Sequence, residues 1–229
     1  MTDITSIWQY ELKVGDSRHP SEGACAMSAY HWLAHGIIGD KHREDCPIIR
    51  EYVITLNDQM PNGLRQRLLK PRILFLGDNR DPASEPARLH HIILETTRHI
   101  VPLAIEKNFP DPAAALRALP DDASYREIEA AAAAAGAAAA GKAAGAAAWT
   151  AVAAAAAGAA AAGKAAGAAA AAEAARAAAW PAAWAAAWDD AIAILDGALR
   201  IGRRSPDLAE AEIIARVGEF ERARLERVW

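Results

Sequence analysis

The sequence predicts an all-α chain: a helical N-terminal domain, then a long Ala/Gly-rich helix, then two amphipathic helices. Three observations predict it. Apolar residues recur at spacings of three and four through most of the chain, the period of an amphipathic helix. Pro, Gly, Asn, Asp and Ser cluster between those stretches, where helices start and stop. The 53% apolar content sits beside only 6% aromatic residues, so alanine, the best helix former, carries the excess. These signals divide the chain into an arm (1–20), a helical domain (21–120) and an Ala-rich long helix with C-terminal helices (121–229).

In the arm, Trp8, Tyr10 and Leu12 alternate, as in a short strand or extended segment. The first helix begins near Ser21 and runs through Cys25, Tyr30, Trp32 and Leu33 to Gly36. Residues 36–46 are polar and read as a loop. Pro47 suits the first position of a second helix, whose Ile48, Ile49, Tyr52, Val53 and Leu56 share one face. Asn57-Asp58 and Pro61-Asn62-Gly63 end it in a turn. A third helix covers Leu64 to about Leu76, bent at Pro71. A fourth spans about Ala83 to Lys107, with Leu89, Ile92, Ile93, His99, Ile100 and Leu103 on its buried face and a kink at Pro102. A short helix covers Pro110 to Leu119. The core expected from this pattern is Trp32, Tyr52, Leu56, Leu68, Ile92, Ile93 and Ile100. The basic group Arg65, Arg67, Lys70 and Arg72 reads as a solvated helix face.

Asp121, Asp122 and Ser124 can cap a helix starting near Tyr125. No Pro, Asn, Asp or Ser follows until Pro181, which predicts one helix to Trp180, roughly 85 Å long. Breakage into hairpins at a glycine is the alternative. Within this tract Ala131–Ala148 recurs unchanged as Ala153–Ala170, an offset of 22 residues or two elevens. Eleven residues nearly close three α-helical turns, so both copies present the same face. Gly141, Gly145, Trp149, Val152, Gly163 and Gly167 fall in one stripe, with Gly136 and Gly158 opposite. The four-residue glycine spacing is that of close helix–helix contact, and duplication without a packing role is the competing reading. Pro181 starts a helix with Trp184, Trp188, Ile192, Leu195 and Leu199 in a stripe. Ser205-Pro206-Asp207 starts the last.

Several function classes are disfavoured. A net charge of −4 with interspersed signs gives no electrostatic footprint for nucleic acid. Lys142 and Lys164 interrupt the Ala tract, and a lysine at a membrane centre costs about 2.5–3.5 kcal/mol, so no membrane span is expected. Met1-Thr2-Asp3-Ile4 opens no signal peptide, and two cysteines form no disulfide framework. The expectation is a cytoplasmic protein. No phosphate loop, dinucleotide fingerprint or hydrolase elbow is present.

Two constellations carry metal-competent groups. Cys25, His42 and Cys46, with Glu22, are the candidate zinc ligands; His42 and Cys46 share a face if locally helical, although paired C-x₂-C is missing. His91, Glu95 and His99 lie along one helix face, but the Glu-to-His step is one residue longer than in carboxylate-bridged sites and has no second copy. The latter reads as a polar stripe, and His31 and His35 as packing or hydrogen-bonding near a helix end. No catalytic residue and no cofactor are expected, with zinc as the alternative.

Glu22-Gly23-Ala24-Cys25, Asp45-Cys46-Pro47, Leu56-Asn57-Asp58, Arg67-Leu68 and Pro71 through Gly77 resemble segments of uncharacterised alanine-rich proteins of bacteria and their phages. The Trp180, Trp184 and Trp188 region is similar in style, and coverage is residues 21–200. That group often carries Asp-His-Pro before its second cysteine, where this chain has Asp40-Lys41-His42-Arg43-Glu44-Asp45. The resemblance implies no activity.

The expected function is therefore a non-enzymatic helical scaffold or interaction protein, self-associating through the glycine stripe or packing it on a partner helix. A metal-binding protein or enzyme using the N-terminal Cys, His and Glu groups is the alternative class. Ice or surface binding by an Ala-rich 11-residue repeat is a third, disfavoured because Thr150 is the tract's single threonine.

Overall fold

The computed structural model describes residues 11–15, 23–35, 37–43, 45–76, 81–139 and 184–202. Helices take up 72% of them, about twice the ordinary share of a third, and no strand occurs among them. The described chain is all-α. It divides into two compact units, Met1–Ala83 with Leu199–Trp229, and Ser84–Ala198. The tract beyond Ala139, with the stripe Gly141, Gly145, Trp149, Val152, Gly163 and Gly167, lies outside the described residues. So do Trp8, Tyr10, the start at Pro181 and the helix from Ser205.

In the first unit, α1 spans Ala26–His35 and α2 spans Pro47–Gln59. Pro47 opens α2 as expected, and Ile48, Ile49, Tyr52, Val53 and Leu56 are all buried. Asn57 and Asp58 do not end it. The helix runs one residue past them, to Gln59, because Asn57 is fully buried and its amide is used in tertiary hydrogen bonds rather than in a turn. The next helical run starts with the single turn α3 (Asn62–Leu64), passes through a π segment (Arg65–Leu69) and closes as a 3₁₀ segment (Lys70–Phe75). α1 packs on α2 and on the 3₁₀ segment.

The second unit contains α4 (Glu85–Glu95), a π segment (Thr96–Ile100), α5 (Val101–Ile105), α6 (Pro110–Arg117), α7 (Tyr125–Ala139) and α8 (Trp184–Arg200), the last leaving the unit after Ala198. Val101, Ile105 and Phe109 pack with Ala113 and Leu116 of α6 and with Ala132 and Ala135 of α7. α7 starts in a capping box. The Ser124 N–H donates to Glu127 Oε2 at 2.7 Å, and the Glu127 N–H donates back to Ser124 Oγ at 3.4 Å.

The two π segments share a cause. Each ends two residues before a proline, Pro71 or Pro102. In a regular α-helix the proline ring clashes with the carbonyl four residues back. Here the residue before each proline bonds five residues back, Lys70 N–H to Arg65 O and Val101 N–H to Thr96 O. The widened turn accommodates the ring without breaking the helix. It also rotates everything beyond it. Leu69 is buried and Leu68 only half-buried, contrary to expectation, and Trp32 is half-buried as well. His99 is exposed, while Thr96, Thr97 and Val101 are buried in its stead. The solvated basic face is overturned for the same reason. Arg65 and Lys70, five apart, are both buried, Arg72 is half-buried, and only Arg67 of that group is exposed.

One close helix contact sits within the second unit. His91 of α4 donates from Nε2 to the Ile194 carbonyl of α8 at 3.2 Å, so Nε2 carries a proton. Burial lowers its pKa although the Ile194 bond favours the cation, so the stability that neutral His91 contributes is fully present above about pH 6.5 and is lost as pH falls from there through the lowered folded value. A Cβ at Gly197 would lie 2.2 Å from His91 Nε2. Gly197→Ala should therefore cost about 1–3 kcal/mol despite its gain in helix propensity. In a His91→Ala background the same change should become stabilising by up to about 1 kcal/mol. Denaturant unfolding of the four chains measures both, and a stabilising Gly197→Ala in the wild type would show the contact to be slack.

Candidate functional site

The polar residues of the first unit converge around α1. Leu12 is fully buried and forms an isolated parallel bridge to Ala24. Lys13 N–H donates to Ala24 O at 2.9 Å and Ala24 N–H to Glu11 O at 3.1 Å. The Gln66 side chain acts as a second strand on the other edge, accepting from Leu12 N–H at 3.1 Å and donating to Leu12 O at 2.7 Å. Arg65 donates to Leu12 O and, at 2.7 Å, to Met60 O. Asn57 joins this segment to α1: its Nδ2 donates to Lys13 O at 2.8 Å, and its Oδ1 accepts from Ala26 N–H at 3.2 Å. All of this satisfies backbone groups that would otherwise be buried without partners.

The second cluster holds the α1–α2 loop. His31 is fully buried. Its Nε2 donates to Asp45 Oδ1 at 2.9 Å and its Nδ1 to the Gly39 carbonyl at 2.5 Å. Asp45, also buried, accepts from the His42 N–H through Oδ2 at 2.7 Å. His35 and His42 stack with ring centroids 4.4 Å apart, and Tyr30 meets both His31 and His35 edge-on. Burial pushes the His31 pKa down, but the Asp45 and Gly39 bonds and the charges of Asp45 and Asp40 more than offset it, and the net shift is upward. Both ring nitrogens are spent as donors, so His31 is a held cation and not a general base.

The predicted ligands are placed separately in this arrangement. Cys25 precedes α1, donates its thiol to Ser28 Oγ and accepts from Ser28 N–H, each at 3.3 Å. Burial raises its pKa and keeps the thiol protonated, the state of least nucleophilicity. Cys46 is buried immediately before α2, and His42 lies half-buried against His35. Glu22 lies outside the described residues. Among the described residues no group of three His, Cys, Asp or Glu side chains has the geometry to hold a metal ion. In the second unit His91, Glu95 and His99 are not one assembly. His91 turns to Ile194, while Glu95 takes Arg98 at 3.0 Å and His99 at 3.1 Å.

His31 hydrogen-bonds near the end of α1 as expected, but its partner Asp45, and Asn57 and Gln66, are the residues that sequence reasoning missed. Asn57 had a readable signal: it follows Ile49 and Val53 at steps of four on an apolar face, where an amide needs a buried partner. The pairing of Asp45 with His31 had none, since it depends on how the loop folds back. Among the described residues no helix is long and apolar enough to cross a membrane. Comparison with family models, with curated proteins and with solved structures finds no match to this chain.

Proposed function

We propose that this chain is a non-enzymatic helical scaffold or interaction protein that self-associates through the small-residue face of its Ala/Gly-rich tract. In this reading the helix opened by the Ser124 capping box runs on through the tract, and two amphipathic helices close the chain. The carrying observation is the unchanged recurrence of Ala131–Ala148 as Ala153–Ala170. Six glycines in these copies each cost a helix about 1 kcal/mol relative to alanine. Close approach of another backbone offsets that cost, and the four-residue spacings Gly141 to Gly145 and Gly163 to Gly167 suit it.

The described start of α7 supports the reading. Ile128, Ala132 and Ala135 are buried, so this face is taken up within the second unit. Carried on at about 100° per residue, the stripe of Gly141, Gly145, Trp149, Val152, Gly163 and Gly167 would lie roughly 110° from that face and outside its packing.

Paired Gly145→Leu and Gly167→Leu substitutions test it. On a contact face, overpacking should cost about 1–3 kcal/mol per site and dissociate the oligomer. On a solvent face the same changes raise thermal stability through helix propensity. Gly136→Leu, off the stripe, is the control and should be better tolerated. Equal tolerance at all three sites contradicts the proposal.

A further inference from the structure

We infer that the α1–α2 loop is a proton-operated latch, held shut while His31 carries both ring protons and released when one is lost. His31 Nδ1 faces the Gly39 carbonyl oxygen at 2.5 Å, and Nε2 faces Asp45 Oδ1 at 2.9 Å. The carbonyl has no hydrogen to give, and Asp45 has none while ionised, so holding both with Asp45 ionised requires a proton on each nitrogen. A neutral imidazole turns a lone pair toward one of them, and one end of the loop is then repelled. Transfer of the shared proton from Nε2 to Asp45 Oδ1 leaves the pair's proton count unchanged and the latch shut.

The same proton holds two points of the loop at once. Gly39 lies near its start. Asp45 lies at its end and closes the turn on itself, with Oδ2 on the His42 N–H and its own N–H donating to His42 O at 3.1 Å. Loss of the proton therefore frees a loop end and leaves the buried Asp45 carboxylate without its counter-charge. Among the described residues, the groups facing His31 are few. Asp45 and Asp40 from the loop favour the cation. His42 from the loop, with its ring 5.7 Å away, and His35 from α1 at 6.3 Å oppose it whenever they are charged. Tyr30 stands edge-on at 5.6 Å.

The direction follows from the raised His31 pKa. The stabilisation is complete below the ordinary value of 6.5 and is lost as pH rises through the raised folded value. The latch is at its tightest near the ordinary value and loosens as pH rises from there through the raised one.

Amide exchange of the full chain tests it, read at the His42 N–H and corrected for base catalysis. Between pH 6.5 and the raised value, protection at His42 should fall roughly tenfold per pH unit, while Val53 in α2 keeps its protection. His31→Gln should show low, pH-independent protection at His42, and Asp45→Asn should move the step to lower pH. A flat wild-type profile from about pH 6 to about pH 9, or an unchanged step in His31→Gln, overturns the latch. Should His31→Gln fail to fold, the imidazole resonances of the unaltered chain decide: titration of His31 at or below 6.5 overturns it.

Discussion

His31→Leu should destabilise the protein by about 3–5 kcal/mol at neutral pH, the usual cost of removing one partner from a buried ion pair. Leucine fills much of the ring's volume, so the loss is electrostatic rather than a cavity. The Asp45 carboxylate, with its side chain 2% exposed, keeps only the His42 N–H, and the Gly39 carbonyl loses its donor. Adding Asp45→Asn to His31→Leu should recover part of the loss, because the amide removes the uncompensated charge. The gap between wild type and His31→Leu should narrow as pH rises through the raised His31 value. Denaturant unfolding at two pH values measures both effects. A loss under ~0.5 kcal/mol would mean that water already reaches Asp45.

Ile93→Ala should cost about 2–5 kcal/mol, the range for truncating a fully buried branched side chain. Ile93 sits in the middle of α4, is 2% exposed, and has Ile92 and Leu94 buried on either side. Three consecutive buried apolar residues mean that α4 is covered over most of its circumference, so the site has little freedom to collapse around the deletion. Equilibrium unfolding gives the value, and a change within the surface range of about 0.5 kcal/mol would place Ile93 on the wrong face.

Much of the fold was legible from local chemistry. Pro47 and Pro110 open helices because a missing N–H costs nothing at a first turn. Ser124 caps α7 at the expected point. The α2 face needed only helical spacing. What spacing missed came from departures from that period. Pro71 and Pro102 were read as bends, but the chain absorbs each with a π turn, and that single extra residue exchanged Leu68 for Leu69 and buried Arg65 and Lys70. Asn57 was read through its turn propensity, which tertiary hydrogen bonds to Lys13 and Ala26 override. One close-approach glycine among the described residues is Gly197, which carries no repeat or motif to announce it. The loop cluster was half legible. Cys25, His42 and Cys46 were singled out as chemically able, yet the residue that holds the loop is His31, through a partner 14 positions away.

Light scattering of the 229-residue chain, which gives its mass in solution, decides whether the Ala/Gly tract joins copies of it. One chain weighs 24.2 kDa. The account predicts a whole-number multiple of that mass which falls to the monomer in the Gly145→Leu, Gly167→Leu chain; a monomer at every concentration in the unaltered protein would contradict it.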